Sequence, residues 1–163
     1  MNITFQGNSI TLEGQEVKPG DVVRDFIVKD TELNDVTLKD TAGKRVFITV
    51  PSVDTAVCDM EVRRFNKEAT ELENTTVYVV SMDLPFAQGR WCGAKDIKNV
   101  KLLSDYKDRS FGQNYGVYIK ELGLLTRAVF VVDESNKVTY VEYCKEVTDE
   151  PDYEKALQAV KSL

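Results

Sequence analysis

Arg45-Val46-Phe47-Ile48-Thr49-Val50-Pro51-Ser52-Val53-Asp54-Thr55-Ala56-Val57-Cys58 is the stretch on which the fold is decided. A nearly continuous apolar run of six residues ends at a proline, and a short polar connector leads into a helical pattern from about Cys58 to Glu73. A second apolar run, Thr76 to Ser81, follows that helix. Strand, helix and strand in this order define a βαβ unit with two parallel strands. The connector delivers a cysteine to the opening turn of the helix, in a chain without a single histidine. That absence removes Ser-His-Asp and Cys-His arrangements, His-ligated metals and imidazole proton shuttles. Activation of Cys58 is left to helix geometry, a lysine or arginine neighbour, or desolvation.

On the N-terminal side of this stretch, Ile3 to Phe5 and Ile10 to Leu12 alternate around Gly7-Asn8-Ser9 and predict an N-terminal hairpin. Phe26 to Val28 and Asp35 to Leu38 predict short strands, and Asp40-Thr41-Ala42-Gly43-Lys44 a turn. Beyond the βαβ unit come a helical segment from Leu84 to Ile97 and a short strand from Val100 to Leu103. Arg127 to Val132 and Lys137 to Tyr143 flank Asp133-Glu134-Ser135-Asn136 as an antiparallel hairpin. Pro151 suits the first turn of a closing helix bearing Tyr153, Leu157 and Val160 at helical spacing. A βαβ half, then a β-hairpin and a helix, is the order of a thioredoxin-like α/β fold. With no repeat, linker or low-complexity stretch, residues 1–163 are expected to form one domain.

Composition narrows the partners. The net charge is −6 and the basic residues are interspersed with acids, which argues against a nucleic-acid surface. The N-terminus lacks the pattern of a signal peptide, and the longest apolar runs fall far short of the roughly 20 residues that cross a bilayer. The expectation is a cytoplasmic protein without a membrane partner. The three cysteines, Cys58, Cys92 and Cys144, have no zinc or Cys-x-x-Cys spacing and are too few for a disulfide scaffold.

Cys58 is in phase with Val62, Phe65, Ala69 and Leu72, so its side chain falls on the core face of the helix, where an inert buried cysteine is the ordinary outcome. Its place in the first turn favours a thiolate, but the helix dipole contributes only about 0.3–1 kcal/mol. A guanidinium or further hydrogen bonds must add to it for the thiol to become a strong nucleophile. Pro51 and Thr55, taken alone, read as a strand terminator and a helix N-cap.

Together, though, Pro51, Thr55 and Cys58 form Pro-x-x-x-Thr-x-x-Cys, the motif of the peroxiredoxins. With Ser81 to Ala94, which contains Arg90-Trp91-Cys92-Gly93-Ala94, the chain resembles the thiol peroxidase branch of that family, the atypical two-cysteine type. Leu103-Ser104-Asp105, Ser110-Phe111-Gly112 and Leu125 to Asp133 extend the resemblance to nearly the whole chain. It implies a thioredoxin-like fold of peroxiredoxin type with an extra N-terminal β-hairpin. It further implies that Cys58 is the peroxidatic cysteine, Cys92 the resolving cysteine of the same subunit, Arg127 the active-site arginine, Thr55 the hydroxyl partner and Pro51 the shield of the thiolate.

The function so implied is reduction of hydrogen peroxide and alkyl hydroperoxides, with a Cys58–Cys92 disulfide reduced by thioredoxin, in a homodimer and without metal, haem, flavin or nucleotide. Because the two cysteines lie on separate helices, local unwinding is expected in each turnover. Cys144 matches no functional position and reads as a structural or surface thiol. Phe86 and Trp91 are read as packing residues that could line a substrate entrance. The alternative is a peroxide sensor that passes its oxidation to a partner protein. A disulfide oxidoreductase is disfavoured because Cys58-Asp59-Met60-Glu61 replaces Cys-x-x-Cys, and an inert thioredoxin-like module is the blandest reading.

Overall fold

The computed structural model describes residues 1–163. In chain order the strands are β1 (Ile3–Phe5), β2 (Asn8–Ile10), β3 (Leu12–Glu13), β4 (Ile27–Lys29), β5 (Asp35–Thr37), β6 (Lys44–Thr49), β7 (Thr75–Ser81), β8 (Val100–Ser104), β9 (Tyr118–Ile119), β10 (Leu124–Leu125), β11 (Ala128–Val132) and β12 (Val138–Tyr143). The helices are α1 (Ala56–Ala69), α2 (Pro85–Lys95), α3 (Ser110–Asn114) and α4 (Tyr153–Lys161). The main sheet has the order β12-β11-β6-β7-β8-β4-β5. Its centre, β6-β7-β8, is parallel, and its flanks are antiparallel. A βαβαβ core extended by a C-terminal hairpin and helix is the thioredoxin-like arrangement, and β1 with β2 adds the N-terminal hairpin.

The apolar runs that announced β6, β7 and β11 are continuous because both faces of the sheet are covered. Val46, Ile48, Val77, Val79, Val129 and Val131 point to one core, shared with α1, α2 and α4. Phe47, Tyr78, Val80, Phe130 and Val132 point to the other, where Phe26, Phe111 and Tyr115 pack as an aromatic cluster. Period-two alternation therefore divides one apolar string between two cores.

Several boundaries are corrected. Helix α1 begins at Ala56 rather than Cys58, because Thr55 caps it, and ends at Ala69, short of Glu73. Helix α2 spans Pro85–Lys95 rather than Leu84 to Ile97: Leu84 is the N-cap, and Asp96 closes the helix in the left-handed region (φ 55°). The hairpin partner of β1 is Asn8–Ile10, since Gln6 and Gly7, both at positive φ, make the turn. Arg127 lies just outside β11. Helix α3 and the small sheet β10-β9-β3 had no periodic signal of useful length.

Candidate active site

Parallel sheets concentrate functional groups at the carboxyl ends of their strands, and that is where the cysteines lie. Strand β6 runs through Val50 and the buried Pro51 into α1, and β7 runs through Met82 and Asp83 into α2. Asp83 fastens the two connections together: its carboxylate accepts from Ser52 Oγ (2.7 Å), Val53 N (2.9 Å) and Ser81 Oγ (2.7 Å). The antiparallel register pairs Ala128 with Thr49. Arg127, one residue earlier, is thereby placed at the level of Val50, beside the opening turn of α1.

Thr55 Oγ1 accepts from Cys58 N at 3.2 Å and donates to Ser52 O at 3.3 Å, a polar N-cap that satisfies an orphan amide of the first turn. Cys58 is fully buried, in phase with Val62 and Phe65 as the sequence pattern requires. It is not inert filling, however: Arg127 Nη2 donates to its Sγ at 3.0 Å. The same guanidinium donates from Nε to Val147 O (2.8 Å) and from Nη1 to Glu61 Oε2. All three nitrogens of the fork are engaged, which fixes its plane against the sulfur.

Both members of the Arg127–Glu61 ion pair are buried. Burial pushes the Glu61 carboxyl up to about 7, against the opposing pull of Arg127. Burial also works against the Arg127 charge, but Glu61 and Cys58 outweigh it and hold Arg127 above its ordinary value. Glu61 Oε1 has no hydrogen-bond partner. Sequence reasoning missed Glu61. Its signal is an acid three residues after Cys58, interrupting the apolar face of a helix, and such an acid needs a buried cation.

The other two thiols lack such company. Cys92, half-buried on α2, has no polar partner, and desolvation raises its pKa. Cys144 is buried after β12, and burial, with Glu142 and Glu61 adding to it, pushes its thiol up to about 12. All three cysteines are free. Between the Ser52–Asp54 turn and α2 lies a cavity of about 700 Å³, lined by Val53, Leu84, Phe86, Ala87 and Trp91 together with Arg90. Trp91 is buried, whereas Phe86 is 70% exposed.

A thiol in the first turn of a helix, gripped by a buried guanidinium on a thioredoxin-like sheet, defines a redox protein of the thioredoxin superfamily. The sequence comparisons place it more closely. Residues 18–157 match the Redoxin family. The chain is 57% identical to a "Thiol peroxidase" of Clostridium acetobutylicum over 99% of each protein, and 55% identical to a "Thiol peroxidase" of Bacillus subtilis over 99% of this chain and 97% of that one. The crystal structure of a peroxiredoxin-like protein from Aquifex aeolicus superposes with a TM-score of 0.93 at 40% identity, covering 99% of this chain and 96% of that one. The chain belongs to the Redoxin family and, within it, to the thiol peroxidase branch of the peroxiredoxins. No helix is long and apolar enough to cross a membrane.

Proposed function

We propose that the protein is a peroxidase that reduces hydrogen peroxide and organic hydroperoxides through Cys58 and is returned to the dithiol state by thioredoxin. The observation that carries this reading is the 3.0 Å contact from Arg127 Nη2 to Cys58 Sγ, in a first turn capped by Thr55. The nucleophile in such chemistry is the thiolate. The sulfur attacks one peroxide oxygen, the O–O bond breaks, and the other oxygen leaves as water or an alcohol while Cys58 becomes a sulfenic acid. Negative charge moves from sulfur onto the departing oxygen. The fixed guanidinium and the first-turn amides are the donors that meet it, joined by the Thr55 hydroxyl once its proton turns away from Ser52 O. Because Cys58 is fully buried, part of its cover must shift for a peroxide to reach it. Pro51, buried at the end of the β6 connection, is assigned the role of limiting water around the sulfur.

Cys92 then displaces hydroxide from the sulfenic sulfur, giving a Cys58–Cys92 disulfide and water. A disulfide requires Cα atoms within about 7 Å, and the thiols here sit free on two helices. Resolution therefore proceeds through local unwinding of α1, α2 or both. The apolar wall of the cavity suits an alkyl substituent on the peroxide. The chain acts as one domain in a cytoplasmic homodimer, with the exposed Leu84 and Phe86 available to the subunit contact or the substrate entrance.

The test is thioredoxin-coupled consumption of cumene hydroperoxide and hydrogen peroxide by the intact protein beside Cys58→Ser and Cys92→Ser. Sustained turnover is expected, abolished without Cys58 and reduced to one oxidation per chain without Cys92. A single stoichiometric oxidation of the intact protein would instead identify a sensor or a different reductant.

A further inference from the structure

The neighbours of the two reactive cysteines are joined by one hydrogen bond. Trp91 Nε1, next to Cys92, donates at 3.0 Å to Asp59 Oδ1, next to Cys58. The other Asp59 oxygen pairs with Arg63 at 3.2 Å, so the acceptor is held in place on α1. Trp91 is buried in the core shared by α1 and α2.

The rest of α2 shows what this bond restrains. On its N-terminal side, buried Gln88 donates to Ser81 Oγ (3.1 Å) and Leu103 O (2.8 Å), tying that turn to the ends of β7 and β8. Past the helix, the amides of Lys98 and Asn99 donate to Asn66 Oδ1 on α1, and Ile97 is buried. Between these anchors Gly93, Ala94, Lys95 and Asp96 are exposed, and no neighbouring atom lies within 4 Å of a Cβ built at Gly93. The last turn of α2 can therefore unwind with little loss of packing, provided that Trp91 lets go of Asp59. Unwinding the first turn of α1 breaks the same bond from the other side.

We propose that the Asp59–Trp91 hydrogen bond is a latch that sets how long oxidised Cys58 waits for Cys92, and so how the sulfenic acid is partitioned. This rests on the resolving role of Cys92 given above. While the latch is closed the two sulfurs stay apart. In that interval a second hydroperoxide can transfer an oxygen to the sulfenic sulfur, giving a sulfinic acid and an alcohol or water. Opening the latch lets the Cys92 thiol condense with the sulfenic acid, forming the S–S bond and releasing water. Asp59 and Trp91 are positioning residues in this scheme, since neither contacts the reacting sulfur.

The experiment oxidises reduced protein with increasing hydrogen peroxide and measures by mass spectrometry the ratio of Cys58–Cys92 disulfide to Cys58 sulfinic acid. Asp59→Ala and Trp91→Phe each remove the bond, and Asp59→Asn keeps an acceptor oxygen. The peroxide concentration that gives equal amounts of the two products is expected to rise about fivefold to tenfold in the first two, the scale of one charge-assisted hydrogen bond, and by less in Asp59→Asn. A pair with only a structural role would lower the urea midpoint and leave the ratio where it was. An unchanged or lowered crossover in both Asp59→Ala and Trp91→Phe overturns the latch. Absence of the disulfide from the wild type overturns the resolving role of Cys92 itself, which distinguishes the two failures.

Discussion

Cys58 and Cys92 are the same residue on neighbouring helices of one sheet face, yet their surroundings differ in kind. Cys58 sits in a capped first turn with a guanidinium on its sulfur, itself locked by Glu61 and Val147. Cys92 has no polar partner, and desolvation raises its pKa. In the proposed mechanism, reactivity thus comes from the groups packed around the thiol rather than from the thiol itself. A nucleophile is built by fixing charge around it. Under the proposed mechanism Cys92 needs only to be delivered to Cys58, and for that a lightly anchored helix turn is the better support.

The sharpest way to break this contrast is to remove the cation. Arg127→Gln takes the charged donor from Cys58 and should lower the rate of Cys58 oxidation by about 10²–10³, the usual cost of losing one preorganised donor, as measured by stopped-flow with limiting peroxide. It also strands Glu61, so stability at neutral pH should fall by up to about 3–5 kcal/mol. In the double variant Glu61→Gln/Arg127→Gln, urea unfolding should recover most of that loss while the rate does not recover. Equal rates in wild type and Arg127→Gln would place Cys58 on the same footing as Cys92.

A milder perturbation keeps the guanidinium and changes only its anchor. Glu61→Gln retains an acceptor for Arg127 but no counter-charge, and the oxidation rate is expected to fall about tenfold or less. A loss as large as that of Arg127→Gln would mean that Glu61 does more than orient the fork.

The smallest effect is on stability against pH. Burial, opposed by Arg127, pushes Glu61 up to about 7, and burial, opposed by the Gly112 and Phe111 amides, pushes Asp105 up to about 6. The native state thus holds protons that the unfolded chain has released, and stability from these two groups increases as pH falls from about 7 towards about 4. Glu146 acts oppositely. Hydrogen bonds from Thr148, Gly7 and Thr4 hold it at about 2, so its contribution is full above its ordinary value of 4.5 and is lost as pH falls through about 2. Urea midpoints should therefore be higher near pH 5.5 than near pH 7.5, and Glu61→Gln should flatten part of that slope. A midpoint lower at pH 5.5 in the wild type would contradict the assignment.

Much of this was legible in the sequence. The apolar strings of β6, β7 and β11 and the helical phase of Cys58, Val62 and Phe65 suffice for the thioredoxin-like core, because burial on both faces leaves a continuous signal. Arg127 became visible through resemblance. Read alone, it begins an apolar run, and only the strand order that sets β11 against β6 brings it to the helix. Glu61, Asp83 and the Asp59–Trp91 pair were not legible. Each depends on which helices and strand ends become neighbours, information that a local period does not carry. Helix α3 escaped for a different reason: its five residues are too few to show a repeat.

Disulfide mapping decides whether Cys58 attacks the peroxide and Cys92 resolves it. Reduced protein is given one equivalent of cumene hydroperoxide, quenched with an alkylating agent and digested without reduction for mass spectrometry. A Cys58–Cys92 link within a single chain is expected, with Cys144 alkylated as a free thiol. Recovery of Cys92 as a free thiol while Cys58 is oxidised, or a link from Cys58 to any other cysteine, would contradict it.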